Sequence, residues 1–208
     1  MHLILASTSP RRRDLLAMLG IPFTLAAPDV DEASLPGETP GALARRLARL
    51  KAKTITRREP TAIVIAADTV VALGDDVLGK PVDDDDAARM LRALRGAPHE
   101  VYTGVAVACS GQVWEDVVAS QVTMRPYSDA EIRTYVASGD PLDKAGAYAI
   151  QHAEFQPVAA LHGCYANVVG LPLCAVRRLL MQAGVDVPPS PIDGCDPPRV
   201  CVVSLEML

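Results

Sequence analysis

The sequence predicts an α/β fold, in which a sheet carries helices on its faces. Three observations point there. Strand-type and helical segments alternate along the chain without an internal repeat. Residues 61–73 are rich in Val, Ile and Ala, which suits a strand buried on both faces. Half of the 208 residues are hydrophobic, enough to bury a sizeable core.

The elements follow in order. Residues 2–6 are a short apolar run, read as a buried strand. Residues 12–19 read as a helix closed by Gly20, with Pro10 suited to the first helical position and Ser9 to the N-cap. A second strand is expected at 23–27, a helix at 42–54, and a further helix over Asp84–Leu94 behind the acidic run 83–86, whose charges complement the helix dipole. Residues 99–110 and 112–125 read as strands joined at Gly111 in a hairpin. Ser128, with Glu131 three residues on, forms a capping box for a helix at 128–138. Tyr165–Val169 reads as a strand and 173–183 as a closing helix. The body is placed at residues 1–184 and a tail at 185–208. Five prolines between Pro188 and Pro198 make an extended linker there. The apolar run 200–208 either docks as an added strand or stays a poorly ordered end, the second being favoured.

Composition removes several function classes. With 20 basic and 25 acidic residues the chain carries a net charge of −5, which argues against duplex nucleic acid as a partner. Aromatic residues make up 4%, too few for a base-stacking platform. No apolar run approaches the ~20 residues of a bilayer span, so no membrane partner is expected. The N-terminal apolar run is short for a signal peptide, and its arginines follow that run instead of preceding it. Cys109, Cys164, Cys174, Cys195 and Cys201 are odd in number and form no CxxC, which suggests neither a zinc ribbon nor a disulfide framework. A cytoplasmic, thiol-reduced compartment is the expectation.

Four segments carry candidate chemistry. In the first, Arg11, Arg12 and Arg13 occupy the first turn of a helix whose N-terminus is already partly positive. Each cation there costs roughly 0.3–1 kcal/mol. The placement makes sense if a polyanion binds, with free N–H groups, the hydroxyls of Ser7, Thr8 and Ser9, and guanidinium forks aimed at phosphate oxygens. The plainer alternative is a capped surface helix with solvated arginines. In the second, Asp68 interrupts an apolar strand, where a carboxylate needs a partner or a task. The third is Gly79-Lys-Pro, which holds Lys80 in a defined place without being a GxxxxGK[ST] phosphate loop. The fourth is Pro141 to Gln151, whose small residues allow close approach and whose Gln151 amide offers both a donor and an acceptor. In the helix at 42–54, Leu43, Leu47 and Leu50 share a face with Lys51 at its margin, so Lys51 either snorkels or reaches into a cleft. Arg45, Arg46, Arg49 and Lys53 read as the opposite, solvated side.

Taken together, Ala6-Ser-Thr-Ser-Pro-Arg-Arg, Asp31-Glu32, Leu47-Ala-Arg-Leu-Lys-Ala, Ala67-Asp-Thr-Val-Val, Gly79-Lys-Pro, His99-Glu-Val-Tyr-Thr-Gly, Asp143-Lys-Ala-Gly-Ala-Tyr-Ala-Ile-Gln and Asn167-Val-Val-Gly-Leu-Pro resemble the Maf-like family of nucleoside triphosphate pyrophosphatases. The pieces occur in the family's order and cover residues 3 to about 183. The resemblance implies an inosine-triphosphatase-like α/β fold: an elongated mixed β-sheet flanked by helices, with a cleft between two lobes. It implies hydrolysis of a nucleoside triphosphate to monophosphate and pyrophosphate with a divalent cation, usually Mg2+ (Mn2+ as a substitute). Asp68 sits where the family's proton acceptor is assigned. Arg11, Thr69 and Gln151 sit at positions tied to substrate choice. Ser7, Arg12, Glu32, Lys51 and Lys80 sit at positions that contact phosphates, metal or each other, Glu32 and Asp68 being the metal candidates. The form of the Gln151 segment is similar to the dTTP/UTP-directed subgroup, and a homodimer is common in the family. The chain departs from the pattern at His152-Ala-Glu-Phe, at Cys164 in place of a serine, at Arg95 and in the tail. The alternatives are the same chemistry on another nucleotide, such as 7-methyl-GTP or CTP, or a non-catalytic nucleotide-binding regulator of cell division.

Overall fold

The computed structural model describes residues 2–188. The proline-rich linker beyond Pro188 and the run 200–208 lie outside the described residues. The elements are β1 (Leu3–Ala6), α1 (Pro10–Ala17), β2 (Thr24–Ala26), α2 (Pro40–Arg58), β3 (Ile63–Leu73), β4 (Asp76–Leu78), α3 (Asp84–Leu94), β5 (Pro98–Cys109), β6 (Gln112–Met124), α4 (Asp129–Ala137), β7 (Val158–His162), α5 (Tyr165–Val169) and α6 (Leu173–Gln182), with 3-10 turns at Asp140–Asp143 and Ala145–Ala147. One mixed sheet of seven strands runs β2-β1-β3-β5-β6-β7, with β4 pairing β3 off that path. β1 is parallel to β2 and β3, and the other pairings are antiparallel.

The expected caps form. Ser9 accepts from the Arg12 backbone N–H, and Pro10 opens α1. Asp83, read in the sequence only as part of the acidic run, adds a cap to α3 through the Asp86 N–H. Ser128 and Glu131 complete the capping box of α4. The β5–β6 hairpin turns at Ser110 and Gly111, both with positive φ (49° and 82°), a geometry that matches the right-handed twist of the strands.

One expectation is corrected and two strands are added. Tyr165–Val169 is a helix and not a strand. The Cys164 Sγ accepts from the Asn167 N–H at its start, and the Gly170 N–H closes its end on the Ala166 carbonyl. A short run containing two valines reads as strand, but the caps at both ends decide the matter. β4 and β7 were not expected from the sequence; each is short, and β4 forms only because β3 doubles back on itself.

The sheet is covered on both sides, and residue parity in β3 sorts the two. Ile63, Ile65, Ala67 and Val71 face the larger core, built with Leu15 and Leu16 of α1, Leu91 and Leu94 of α3, Ile132 of α4 and Val176 of α6. Val64, Ala66 and Val70 face α2, through Ala48, Ala52, Ile55, Leu43 and Leu47. α2 lies unusually close to the sheet. A Cβ at Gly104 of β5 would sit 2.2 Å from the Ala44 carbonyl oxygen, so only glycine admits the helix there.

Candidate active site

The site begins as a gap in the sheet. β1 pairs β3 only at Ile63–Ile65, and β4 pairs it only from Val71 onward. Between them, residues 66–70 of β3 keep a neighbour on the β5 side alone. β1 stops at Ala6, and the chain turns through Ser7, Thr8 and Ser9 into α1. A cleft of about 380 Å³ opens at this point, within the range of small-ligand sites. It lies beyond the carboxyl end of β1, where open α/β sheets commonly bind ligands. All nine residues singled out in the sequence line it: Ser7, Arg11, Arg12, Glu32, Lys51, Asp68, Thr69, Lys80 and Gln151.

On the α2 side, Asp68 shares parity with Val64 and Val70 and so meets the helix. Lys51 of α2 is 6% exposed, and its ammonium donates to both the Asp68 carboxylate and Glu32 Oε1 (2.6 Å for the latter). Lys51 therefore does not snorkel; it is the buried counter-charge of two carboxylates. Partial burial alone would raise the Glu32 carboxyl. The hydrogen bond and charge of Lys51, with Lys80 and Arg12 behind them, outweigh it and hold the group below the usual carboxylate range.

On the opposite face, Arg12 is fixed by the fold. Its Nε donates to the Gly170 carbonyl (2.8 Å) and its Nη2 to Thr69 Oγ1 (3.0 Å). Thr103 Oγ1 donates to the Asn167 carbonyl (2.9 Å). Its one proton is thus used, and Thr69 supplies the proton of the 2.9 Å bond between the two threonines. Asn167, fully buried, donates from Nδ2 to the Val101 carbonyl and to Ser120 Oγ, each at 2.9 Å. Burial lowers the Arg12 pKa, and Asp68 opposes that effect. A guanidinium remains a cation under either influence.

The arginines of the first turn of α1 divide. Arg11 and Arg12 line the cleft, whereas Arg13 is half-exposed and paired with Asp14. Arg11 Nη1 reaches Asp143 Oδ2 at 3.1 Å, and Asp143 and Asp140 both accept from Lys144 Nζ (2.7 and 2.8 Å). Lys80 is exposed at the mouth, and its turn is tied down by the Gly146 N–H donating to the Gly79 carbonyl (3.0 Å). Gln151 is half-buried, and its amide makes no hydrogen bond among the described residues. Sequence reasoning gave no role to Asp143, Lys144 or Tyr148, which also line the cleft. Tyr148 Oη is 2.7 Å from Nε2 of the buried His99. Their only signal was membership of the quoted motifs.

The donor set fits a divalent cation brought in with a substrate. Asp68 and Glu32 already converge on one positive group, Lys51. Magnesium characteristically takes one or two carboxylates together with phosphate and water oxygens. No cluster of three or more acidic, His or Cys residues suited to holding a metal by protein alone exists among the described residues.

An α/β chain whose sheet opens beside a helix N-terminus, with clustered cations and two carboxylates facing the gap, has the makings of a phosphate-handling protein. Comparison makes this specific: residues 2–183 match the family described as Maf-like protein, and the chain belongs to it. It is 52% identical over 187 residues to the dTTP/UTP pyrophosphatase of Myxococcus xanthus (89% of this chain, 94% of the relative). It is 48% identical over 203 residues to the dTTP/UTP pyrophosphatase of Thermomicrobium roseum (97% and 92%). Among solved structures, the Ham1 protein of Staphylococcus aureus is 13% identical with a TM-score of 0.43, covering 61% of this chain and 73% of that one. At that distance nothing about the site is carried over.

Proposed function

We propose that the protein hydrolyses dTTP and UTP between the α- and β-phosphates, releasing nucleoside monophosphate and pyrophosphate. The observation that carries this reading is the stretch of β3 left open on its β1 and β4 side. It presents Asp68, Lys51 and Glu32 on one side of the opening and Arg12 and Thr69 on the other, with Lys80 at the mouth. The names of the relatives supply the nucleotide.

In this reading Arg12, Lys80 and the hydroxyl of Ser7 bind the triphosphate, with Arg11 beside them. Asp68 accepts the proton of the attacking water as its oxygen bonds to phosphorus and the anhydride P–O bond breaks. Lys51 holds Asp68 in place. Glu32 and Asp68 would hold a divalent cation, Mg2+ or Mn2+, whose contribution is to neutralise phosphate charge. Gln151 and Thr69 read the base. Uracil and thymine share an N–H flanked by two carbonyls, which the Gln151 amide matches with one donor and one acceptor. No helix among the described residues is long and apolar enough to cross a membrane, and we place the enzyme in the cytoplasm.

The test is pyrophosphate release with Mg2+ across dTTP, UTP, CTP, GTP and 7-methyl-GTP. Turnover of dTTP and UTP well above the rest is expected. A different best substrate would correct the base reading alone. Tight binding without release of pyrophosphate would replace the enzyme with a nucleotide-binding regulator.

A further inference from the structure

Glu32 sits on a segment with little to hold it. Residues 27–39 connect β2 to α2 with no regular structure beyond a turn at Pro36 and Gly37, and every residue from 31 to 37 is exposed. Ordering backbone costs about 1–2 kcal/mol per residue, and an irregular connection of this length inside a compact domain normally has a task. Apolar burial does not fix this one: Leu35, its large hydrophobic residue, is 55% exposed.

What fixes it is Arg46 of α2. The guanidinium forms a fork with Glu38, Nε to Oε1 at 2.7 Å and Nη2 to Oε2 at 2.9 Å, while Nη2 also donates to the Ala33 carbonyl at 2.8 Å. Glu38 Oε2 in turn accepts from the Leu35 N–H (3.1 Å), and Asp31 Oδ1 accepts from the Ala33 N–H (2.9 Å). Arg46 therefore grips the segment at both ends of residues 33–38. The residue before the first grip is Glu32, which reaches Lys51 one and a half turns further along the same helix. Sequence reasoning placed Arg46 with Arg45, Arg49 and Lys53 on a solvated face. Arg45 and Arg49 do stay half-exposed, with only long contacts to Glu115 (3.8 and 3.9 Å), whereas Arg46 is turned inward to the segment.

We propose that Arg46 is a positioning residue for the cation site: by clamping residues 33–38 it holds Glu32 beside Asp68, and so sets the enzyme's affinity for its divalent metal without touching substrate. The inference rests on the reading of Glu32 as a metal ligand. Supporting groups behind metal ligands typically change metal affinity 10–100-fold when removed.

The test compares Arg46→Ala, Arg46→Lys, Glu38→Gln, Glu32→Gln and Arg49→Ala in the full chain. Two quantities are measured: the Mg2+ concentration for half-maximal turnover at saturating dTTP, and hydrogen exchange of the amides of residues 31–38 without nucleotide. Arg46→Ala is expected to raise the Mg2+ requirement about 10-fold or more and to speed exchange at Ala33 and Leu35, with turnover at saturating Mg2+ within about threefold. Arg46→Lys, which keeps the charge but loses the fork, should fall between. Glu38→Gln should follow Arg46→Ala more weakly, and it carries the test if Arg46→Ala does not fold. Glu32→Gln should raise the Mg2+ requirement while leaving exchange at Ala33 and Leu35 slow. Arg49→Ala should change neither. Fast exchange with an unchanged Mg2+ requirement would reduce the clamp to a structural role and overturn the proposal, as would slow exchange in Arg46→Ala. If Glu32→Gln shifts the Mg2+ requirement and the clamp variants do not, the clamp alone fails. If Glu32→Gln leaves it unchanged, the metal reading of Glu32 fails and the clamp fails with it.

Discussion

Asp68 and Thr69 are consecutive residues of one strand, yet they serve two differently built halves of the same cleft. Asp68 looks toward α2, where its bonding partner is a single ammonium shared with a carboxylate from an exposed segment. Thr69 looks the other way, into a directed chain of hydrogen bonds from Arg12 through Thr69 and Thr103 to the backbone of α5. One side concentrates charge around few contacts. The other is a buried polar network with its protons accounted for. Parity along a strand separates the two, and the absence of a neighbour on the β1 and β4 side of residues 66–70 lets both open onto one space. The carboxylates of the first side share one ammonium, while the second side ties its donors to groups of the fold and leaves the buried Asn167 Oδ1 without a partner. Substitutions on the two sides should therefore fail in different ways.

The largest expected effect is at Asp68. Asp68→Asn keeps size and most hydrogen bonding but removes the basic oxygen, and turnover should fall about 100-fold or more with the melting temperature held within a few degrees. Steady-state kinetics beside a thermal melt decides this, and a folded variant with ordinary turnover would remove Asp68 from the chemistry. Next come Arg12 and Lys80, the two cations proposed to bind phosphate, which separate activity from stability. Arg12→Ala and Lys80→Ala should each reduce kcat/KM by the equivalent of about 1.5–3 kcal/mol. Arg12→Ala should also lower stability, because the Gly170 carbonyl and Thr69 lose a partner, while the exposed Lys80 should leave the melt unchanged. Equal melting losses in both would erase the contrast. Thr103→Val tests the hydrogen-bonded network alone. It loses the bonds to Asn167 and Thr69, so unfolding should become easier by about 1–3 kcal/mol, with turnover falling only as far as Thr69 and Arg12 relax.

An effect that appears only on acidification is expected from His99 behind the wall. Burial lowers its pKa to about 4 from an ordinary 6.5, so the folded protein holds it neutral while the unfolded chain takes up a proton. Its contribution to stability is therefore complete above pH 6.5 and is lost as the pH falls toward 4, with a slope of up to about 1.4 kcal/mol per pH unit. Denaturant unfolding from pH 7 to 4.5, compared with His99→Gln, should show a shallower decline in the variant; parallel curves would contradict the assignment.

These contrasts also show what a sequence carries and what it hides. Local chemistry was legible: α3 was read to the residue, the capping residues Ser9 and Ser128 sit where their side chains are needed, and the nine residues that the family resemblance assigned to the site line the cleft, whereas Arg13 does not. Features that depend on long-range register were hidden. Thr103 joins Thr69 only because β5 pairs β3 with those two residues opposite each other, and no periodicity announces that alignment. Arg46 looked like one more solvated arginine because its partners are a carboxylate and a carbonyl on an irregular segment with no pattern to read. The helix α5 was mistaken because a cysteine occupies its cap and valines its body.

The most direct test of the shared cleft is a crystal structure of the enzyme with Mg2+ and an α,β-methylene analogue of dTTP. The triphosphate should lie in the gap of β3 between Arg12 and Lys80, with the cation against Glu32 and Asp68 and the base toward Gln151. A nucleotide found instead in the shallow surface cavity of Arg45, Arg49 and Tyr102, with the β3 gap empty, would contradict it.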